Sequence, residues 1–193
     1  WLAVRNPINV VDRDPWGIPA QVAGLLLAQL PTSWADRVGA LAQRTRYGDL
    51  GQYGLTASPE GAATSLLRDG RVAMVDVGTM EMLKNGKISV APGLTHFGES
   101  SIGFEGGEEL PMDAVILATG YRAAIQDILQ VSGDLFDERG VPVVHGRQCA
   151  IMGLYFVGFR NALSGQLRHI RLDAISAARQ ITETGSSLTE VHK

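Results

Sequence analysis

Hydrophobic positions along this chain change their spacing from stretch to stretch, and the spacing predicts the elements. DAVILATGYR, residues 113–122, passes through five apolar side chains in a row, Ala114 to Ala118, and then meets Thr119-Gly120-Tyr121. An unbroken apolar run this short predicts a strand buried on both faces, as at the centre of a parallel sheet. WLAVR and INVVD near the start read as two short strands divided by Asn6-Pro7. Gln21 to Leu30 reads as a buried helix ended by Pro31. A second helix, capped by Ser33 and stopping near Gly48, carries Trp34, Val38, Leu41 and Ala42 on one face.

The next fifty residues are rich in loop formers until VAMVDVG, residues 72–78, returns to strand. KNGKISV, GLTHFG and SIGF then predict a small antiparallel meander, with Asn85-Gly86 as a hairpin turn. PVVHG and GLYFVGF are two further strand candidates. A closing helix from Gly165 to Thr182 places Leu167, Ile170, Ala174, Ala178 and Ile181 on one face, with Arg168, Arg171 and Arg179 toward solvent. The residues after it read as a frayed tail.

With 193 residues and 45% hydrophobic side chains, the chain can build one large core or two small ones. A net charge of −3, without basic runs interleaved with aromatics, argues against nucleic acid or an anionic membrane surface as partner. The apolar stretch from Val22 to Leu30 is too short to span a bilayer, and no secretory signal is visible. Cys149 is the single cysteine, which excludes an internal disulfide and fits a reducing, cytoplasmic compartment. Because Trp1 opens directly inside a strand, the chain reads as a piece of something longer, or as a processed product.

Several kinds of chemistry find no motif. Neither G-x-G-x-x-G nor G-x-x-x-x-G-K-[ST] occurs, so no complete phosphate loop is present. ALSGQ, residues 162–166, lacks the first glycine of a hydrolase nucleophile elbow. His96, His145, His169 and His192 have no ligand spacing, so no metal site is expected, and no side chain is marked as a catalytic acid, base or nucleophile. The positive candidates are strand ends, where open α/β sheets bind ligands. Gly120 suits close backbone approach to a ligand or a turn with positive φ. Ligand approach is the preferred cause, since a plain turn could use Asn or Asp. Ser164-Gly165 opens a helix whose free N–H groups could face an anionic or electron-rich group, or Ser164 simply caps it. Arg5, ending a strand, suits a phosphate such as the 2′-phosphate of NADP, or is an ordinary surface cation.

Taken in order, VRNPINVVDRDPWGIPAQ, RYGDLGQYGL, RVAMVDVG with KNGKISV, DAVILATGYR, and GLYFVGF with LSGQLR resemble flavin-containing monooxygenases. The likeness is to the branch of plant auxin-forming enzymes and bacterial FAD-dependent oxidoreductases. It runs to about Ile181. The resemblance implies an α/β fold, the rear part of a flavoprotein with two dinucleotide-binding domains. Residues 1–112 would complete a Rossmann-like NADPH domain with a β-meander. Residues 113–185 would return into and close an FAD domain, leaving 186–193 as a tail.

The implied cofactors are FAD and NADPH. The implied activity is oxygenation of a small organic substrate with O₂ through a flavin hydroperoxide. Arg5 would meet the 2′-phosphate, while Ala118, Thr119, Gly120 and Tyr121, with Leu163, Ser164, Gly165 and Gln166, would line the cofactors. The glycine fingerprints of the family would lie in a missing amino-terminal half, and self-association is left open. The alternatives are a flavin-dependent pyridine-nucleotide oxidoreductase that does not oxygenate, and a non-catalytic remnant that kept the binding fold.

Overall fold

Two pairs of parallel strands organise the first part of the chain. β1 (Leu2–Ala3) pairs with β4 (Val90–Ala91), placing Leu2 opposite Val90. β2 (Val10–Asp12) pairs with β3 (Met74–Asp76), so that Asp12 and Asp76 end the two strands side by side. The computed structural model describes residues 1–120, 123–129, 131 and 134–190, excepting the side chains of residues 16 and 185–190. It divides into two compact units, Trp1–Leu117 and Ala118–Lys193. The architecture is mixed α/β.

Parallel strands need a long crossover. Between β2 and β3 the chain forms α1 (Ala20–Leu27), α2 (Thr32–Tyr47) and α3 (Ala62–Asp69). Pro31 stands at the amino end of α2, where a missing N–H costs nothing. Gly48, at φ +72°, ends it. Ser33 is therefore inside the helix and not its cap, since Pro31 sets the start two residues earlier. Asp36 of α2 instead serves α3, accepting hydrogen bonds from the Ala63 and Thr64 amides at 2.8 and 3.2 Å. α3 itself arises within the region that composition alone reads as loop.

Burial does not follow the expected faces. α1 has no buried residue, although its apolar content predicts a buried helix. On α2, Ala35 and Tyr47 are buried while Trp34 is 57% exposed and Val38 and Leu41 are open too. An apolar face is covered only where another element meets it, and among the described residues none meets this one. Val10, Tyr47, Leu50, Leu55, Met80 and Leu83 form the core between the β2–β3 pair and its helices.

α4 (Thr79–Lys84) follows β3 at once. Asp76 Oδ1 accepts from the Gly78 and Met80 amides at 3.0 and 3.1 Å and so satisfies its first turn. Asn85-Gly86 ends this helix and is not a hairpin turn. The positive φ of Gly86 lets its own amide reach Leu83 O and the Lys87 amide reach Met82 O. The antiparallel meander begins later, with β5 (Leu94–Phe97), β6 (Ser101–Phe104) and β7 (Glu109–Pro111) around Ala91, Ile102 and Phe104.

The run from Ala114 to Ala118 is not a strand of any sheet, and Ile116 is 91% exposed. A buried strand needs neighbours for its backbone and both its faces, and no described residue supplies them. In the second unit, PVVHG and GLYFVGF likewise form no ladder. They contribute only isolated bridges, Phe136 with Pro142 and Gln148 with Tyr155, and Pro142 has no N–H to offer. Leu135, Cys149 and Phe156 form the core there, with Phe136 and Phe159 edge-on to Phe156. α5 (Ile125–Leu129) is short.

α6 (Gln166–Glu190) closes the chain and runs past the expected end at Thr182, into the residues read as a tail. Among its described side chains the buried ones are Asp173 and Ala177, whereas Leu167 is 79% exposed and Ile181 is also open. The inward stripe is thus turned by about one residue from the apolar one, because Asp173 has a partner inside the unit.

Candidate functional site

Arg5 follows β1 at its carboxyl end and lines a cavity of about 400 Å³ with Asn6, Thr56, Val90, Gly93 and Glu105. The cavity sits where both strands of the β1–β4 pair end, the position at which open parallel sheets take ligands. Arg5 is exposed and has no ion-pair partner among the described residues. Its guanidinium therefore fits an incoming phosphate. The Glu105 carboxylate lines the same cavity and opposes one. A phosphate would have to lie on the Arg5 side of the opening.

The turn before α6 is tied to itself. Ser164 Oγ and His169 Nε2 lie 2.8 Å apart, joining the turn to the first turn of the helix. The Gln166 side-chain amide donates back to the Gly158 carbonyl. Gly158 and Gly165 both have positive φ, +91° and +93°, which bends the chain sharply on each side of residues 159–164. With the Ser164 and Gln166 side chains occupied, the groups left to face a ligand are backbone N–H donors at the start of α6. Leu163, Ser164, Gly165 and Gln166 are brought together by this one turn.

Ala118, Thr119 and Gly120 are exposed, and Tyr121 lies outside the described residues. Gly120 has φ +82° and no atom within 4 Å of where a Cβ would project. The positive φ favours glycine by itself, and the space beside it is open to close approach by a ligand. Arg5 belongs to the first unit and the other candidates to the second.

Some groups carry no sequence signal. Arg160 Nη2 donates to Asp173 Oδ1 at 3.2 Å, and Asp173 Oδ2 is buried without a partner, as is His145 Nδ1. Burial first, and then the Arg160 charge, hold the imidazoles of His145 and His169 below the ordinary histidine range. Cys149 is buried in the second core, its sulfur beside the Ile151 backbone, as an inert packing residue would be. Among the described residues no helix is long and apolar enough to cross a membrane.

Comparison with known proteins gives the class first: the homologues of this chain are flavin monooxygenases, as the quoted motifs imply. In particular they are indole-3-pyruvate monooxygenases. The chain is 34% identical, over 93% of its length, to indole-3-pyruvate monooxygenase YUCCA1 of Oryza sativa subsp. japonica. It is 34% identical over 94% of its length to YUCCA8 of Oryza sativa subsp. indica, and 31% identical over 93% to the probable enzyme YUCCA3 of Arabidopsis thaliana. It spans 44%, 44% and 41% of the length of these three proteins. No family model matches the chain.

Proposed function

We propose that this chain is the carboxy-terminal part of an FAD- and NADPH-dependent monooxygenase that oxygenates a small organic substrate with O₂. The observation that carries the reading is similarity to indole-3-pyruvate monooxygenases along nearly the whole chain. The unpartnered Arg5 at the carboxyl end of β1 supports it. In this reading residues 1–112 complete the NADPH domain and residues 113–185 close the FAD domain. The uncovered run at 114–118 then finds its sheet neighbours in residues beyond these 193. Bound flavin would supply the redox and oxygen chemistry. The residues here would orient and enclose: Arg5 would hold a 2′-phosphate, and the first amides of α6 would offer free donors to the flavin. A 2-oxo acid with an aromatic side chain, the kind of substrate in the relatives' names, is the first to try. A cytoplasmic location is part of the same reading.

The test uses the intact enzyme that carries this chain. Arg5→Ala should lower kcat/KM for NADPH about ten- to a hundredfold, the loss of one charge-assisted contact, and spare NADH. Equal loss with both nucleotides would make Arg5 structural. With indole-3-pyruvate present, NADPH consumption should match oxygenated product. Stoichiometric hydrogen peroxide instead would mark an oxidoreductase that does not oxygenate.

A further inference from the structure

Helices α1 and α2 present an apolar face to which the dinucleotide reading gives no task. The inward side of α2 is set by hydrogen bonds and burial. Asp36 caps α3, Gln43 Oε1 accepts from the Val10 amide at 2.7 Å, and Tyr47 is buried in the first core. At about 3.6 residues per turn, Trp34, Val38 and Leu41 fall on the opposite side of the same helix, and all three are exposed. α1 adds Val22, Leu25 and Leu26, with Leu30 just beyond its end, also exposed, and it buries no residue of its own. An apolar surface of this extent marks a place where something docks.

Charge marks one edge of the face. Residues 15–35 hold no charged side chain. Arg37 and Arg44 follow along one edge of the α2 stripe, and the Arg37 guanidinium lies 5.9 Å from the centre of the Trp34 ring. Neither arginine has an ion-pair partner among the described residues. Asp36 is the only carboxylate of residues 15–48, and it is turned inward and spent on the α3 amides. The complement of this face is therefore an apolar surface edged by carboxylates.

That pattern selects the occupant. A helix lying on a membrane surface carries a strongly charged outer side, and α1 has no charged residue to place there. Apolar residues around most of its circumference are the composition of a helix enclosed by protein. A second copy, meeting face to face, would offer the same two arginines again and no carboxylate to receive them. The chain spans less than half the length of its relatives. A further part of the same polypeptide is held nearby at high effective concentration, so it can dock through modest contacts. We propose that the α1–α2 face is the docking surface for the amino-terminal half of the enzyme, which covers it with an apolar patch and sets carboxylates against Arg37 and Arg44. The inference rests on the reading of this chain as a carboxy-terminal part.

The experiment is photo-crosslinking in the intact enzyme, with Leu26 or Leu41, each 67% exposed, replaced by p-benzoylphenylalanine. Mass spectrometry of the digested protein identifies the joined peptides. An equal mixture of ¹⁵N-labelled and unlabelled enzyme tells links within one polypeptide from links between two. Both positions should link, within one polypeptide, to residues upstream of Trp1. Links between copies, links confined to residues 1–193, or no protein link at either position overturns the proposal. So does a link that gives way to lipid adducts when phosphatidylcholine–phosphatidylglycerol vesicles are added. The pair Arg37→Glu, Arg44→Glu should lower the yield of the upstream link several-fold, and an unaltered yield overturns the charge match and with it the choice of occupant. The readout needs neither NADPH nor oxygenation, so failure of the monooxygenase reading would leave it standing.

Discussion

Asp173, about two turns into α6, accepts a hydrogen bond from the Arg160 guanidinium at 3.2 Å, thirteen residues earlier in the chain, while its other oxygen is buried without a partner. The carboxylate is 5% exposed and the guanidinium is about half in solvent. The pair anchors the turn that begins at Gly158 against the helix that the same turn starts. Charge taken from water on one side only makes the interaction asymmetric. Removing the arginine strands a buried charge, whereas neutralising the aspartate does not.

Arg160→Ala should therefore cost about 1–3 kcal/mol in urea unfolding of the second unit, the penalty of an unsatisfied buried charge. Asp173→Asn, which keeps an acceptor for Arg160, should cost less. If the arginine variant lies within about 0.5 kcal/mol of the parent, typical of a surface site, the pair does not anchor the turn.

His145 and His169 share a pH prediction. Both are held neutral, chiefly by burial and then by Arg160, with Arg168 adding to the effect on His169 and Asp173 opposing it at both. Their folded pKa values lie below the unfolded one, so the unfolded chain binds protons first as the medium acidifies. Stability is then complete above about pH 6.5, the ordinary histidine value, and falls as pH drops through it toward the lower folded values. Urea midpoints between pH 7.5 and pH 5 should show this decline, and the double variant His145→Gln, His169→Gln should flatten it. An unchanged slope would assign the pH dependence to carboxylates.

Glycines at positive φ separate backbone strain from packing. Gly120 and Gly165 have φ +82° and +93° with open space where a Cβ would stand. Alanine at either should cost about 1 kcal/mol through the backbone alone. Gly146 has φ +65°, and a Cβ there would lie 2.7 Å from Asp173 Cα. Gly146→Ala should cost more, about 2–4 kcal/mol, because the loop must also leave α6. Thermal melts of the three single variants decide this. A Gly146 variant no worse than the other two would mean that this loop is not packed on the helix.

Much of the local structure was legible because it depends on neighbours in sequence. Gly48 ends α2, the β-rich segments INVVD and VAMVDVG mark β2 and β3, and the glycine-punctuated segments mark the meander. Arg5 and the Ser164-Gly165 turn could be chosen as site candidates for the same reason, since each sits at the end of an element. Asn85-Gly86 misled because one positive φ closes a hairpin and a helix end equally well, and the chain before it decides which. The capping of α3 by Asp36 was invisible, since its partners lie 27 and 28 residues away.

By itself, then, the sequence determined the kinship, several of the local elements and the strand-end position of Arg5, all of which are written in short, contiguous patterns. Only the tertiary structure decided which apolar faces are covered. Val115, Ile116 and Leu117 promise a buried strand, yet burial is a property of the partner as much as of the side chain. Tertiary structure also brought Asp12, Tyr47 and Asp76 from three elements to the walls of one cavity, and set Arg160 against Asp173. Those juxtapositions depend on crossovers and packing angles, and no periodicity along the chain encodes a distance across it.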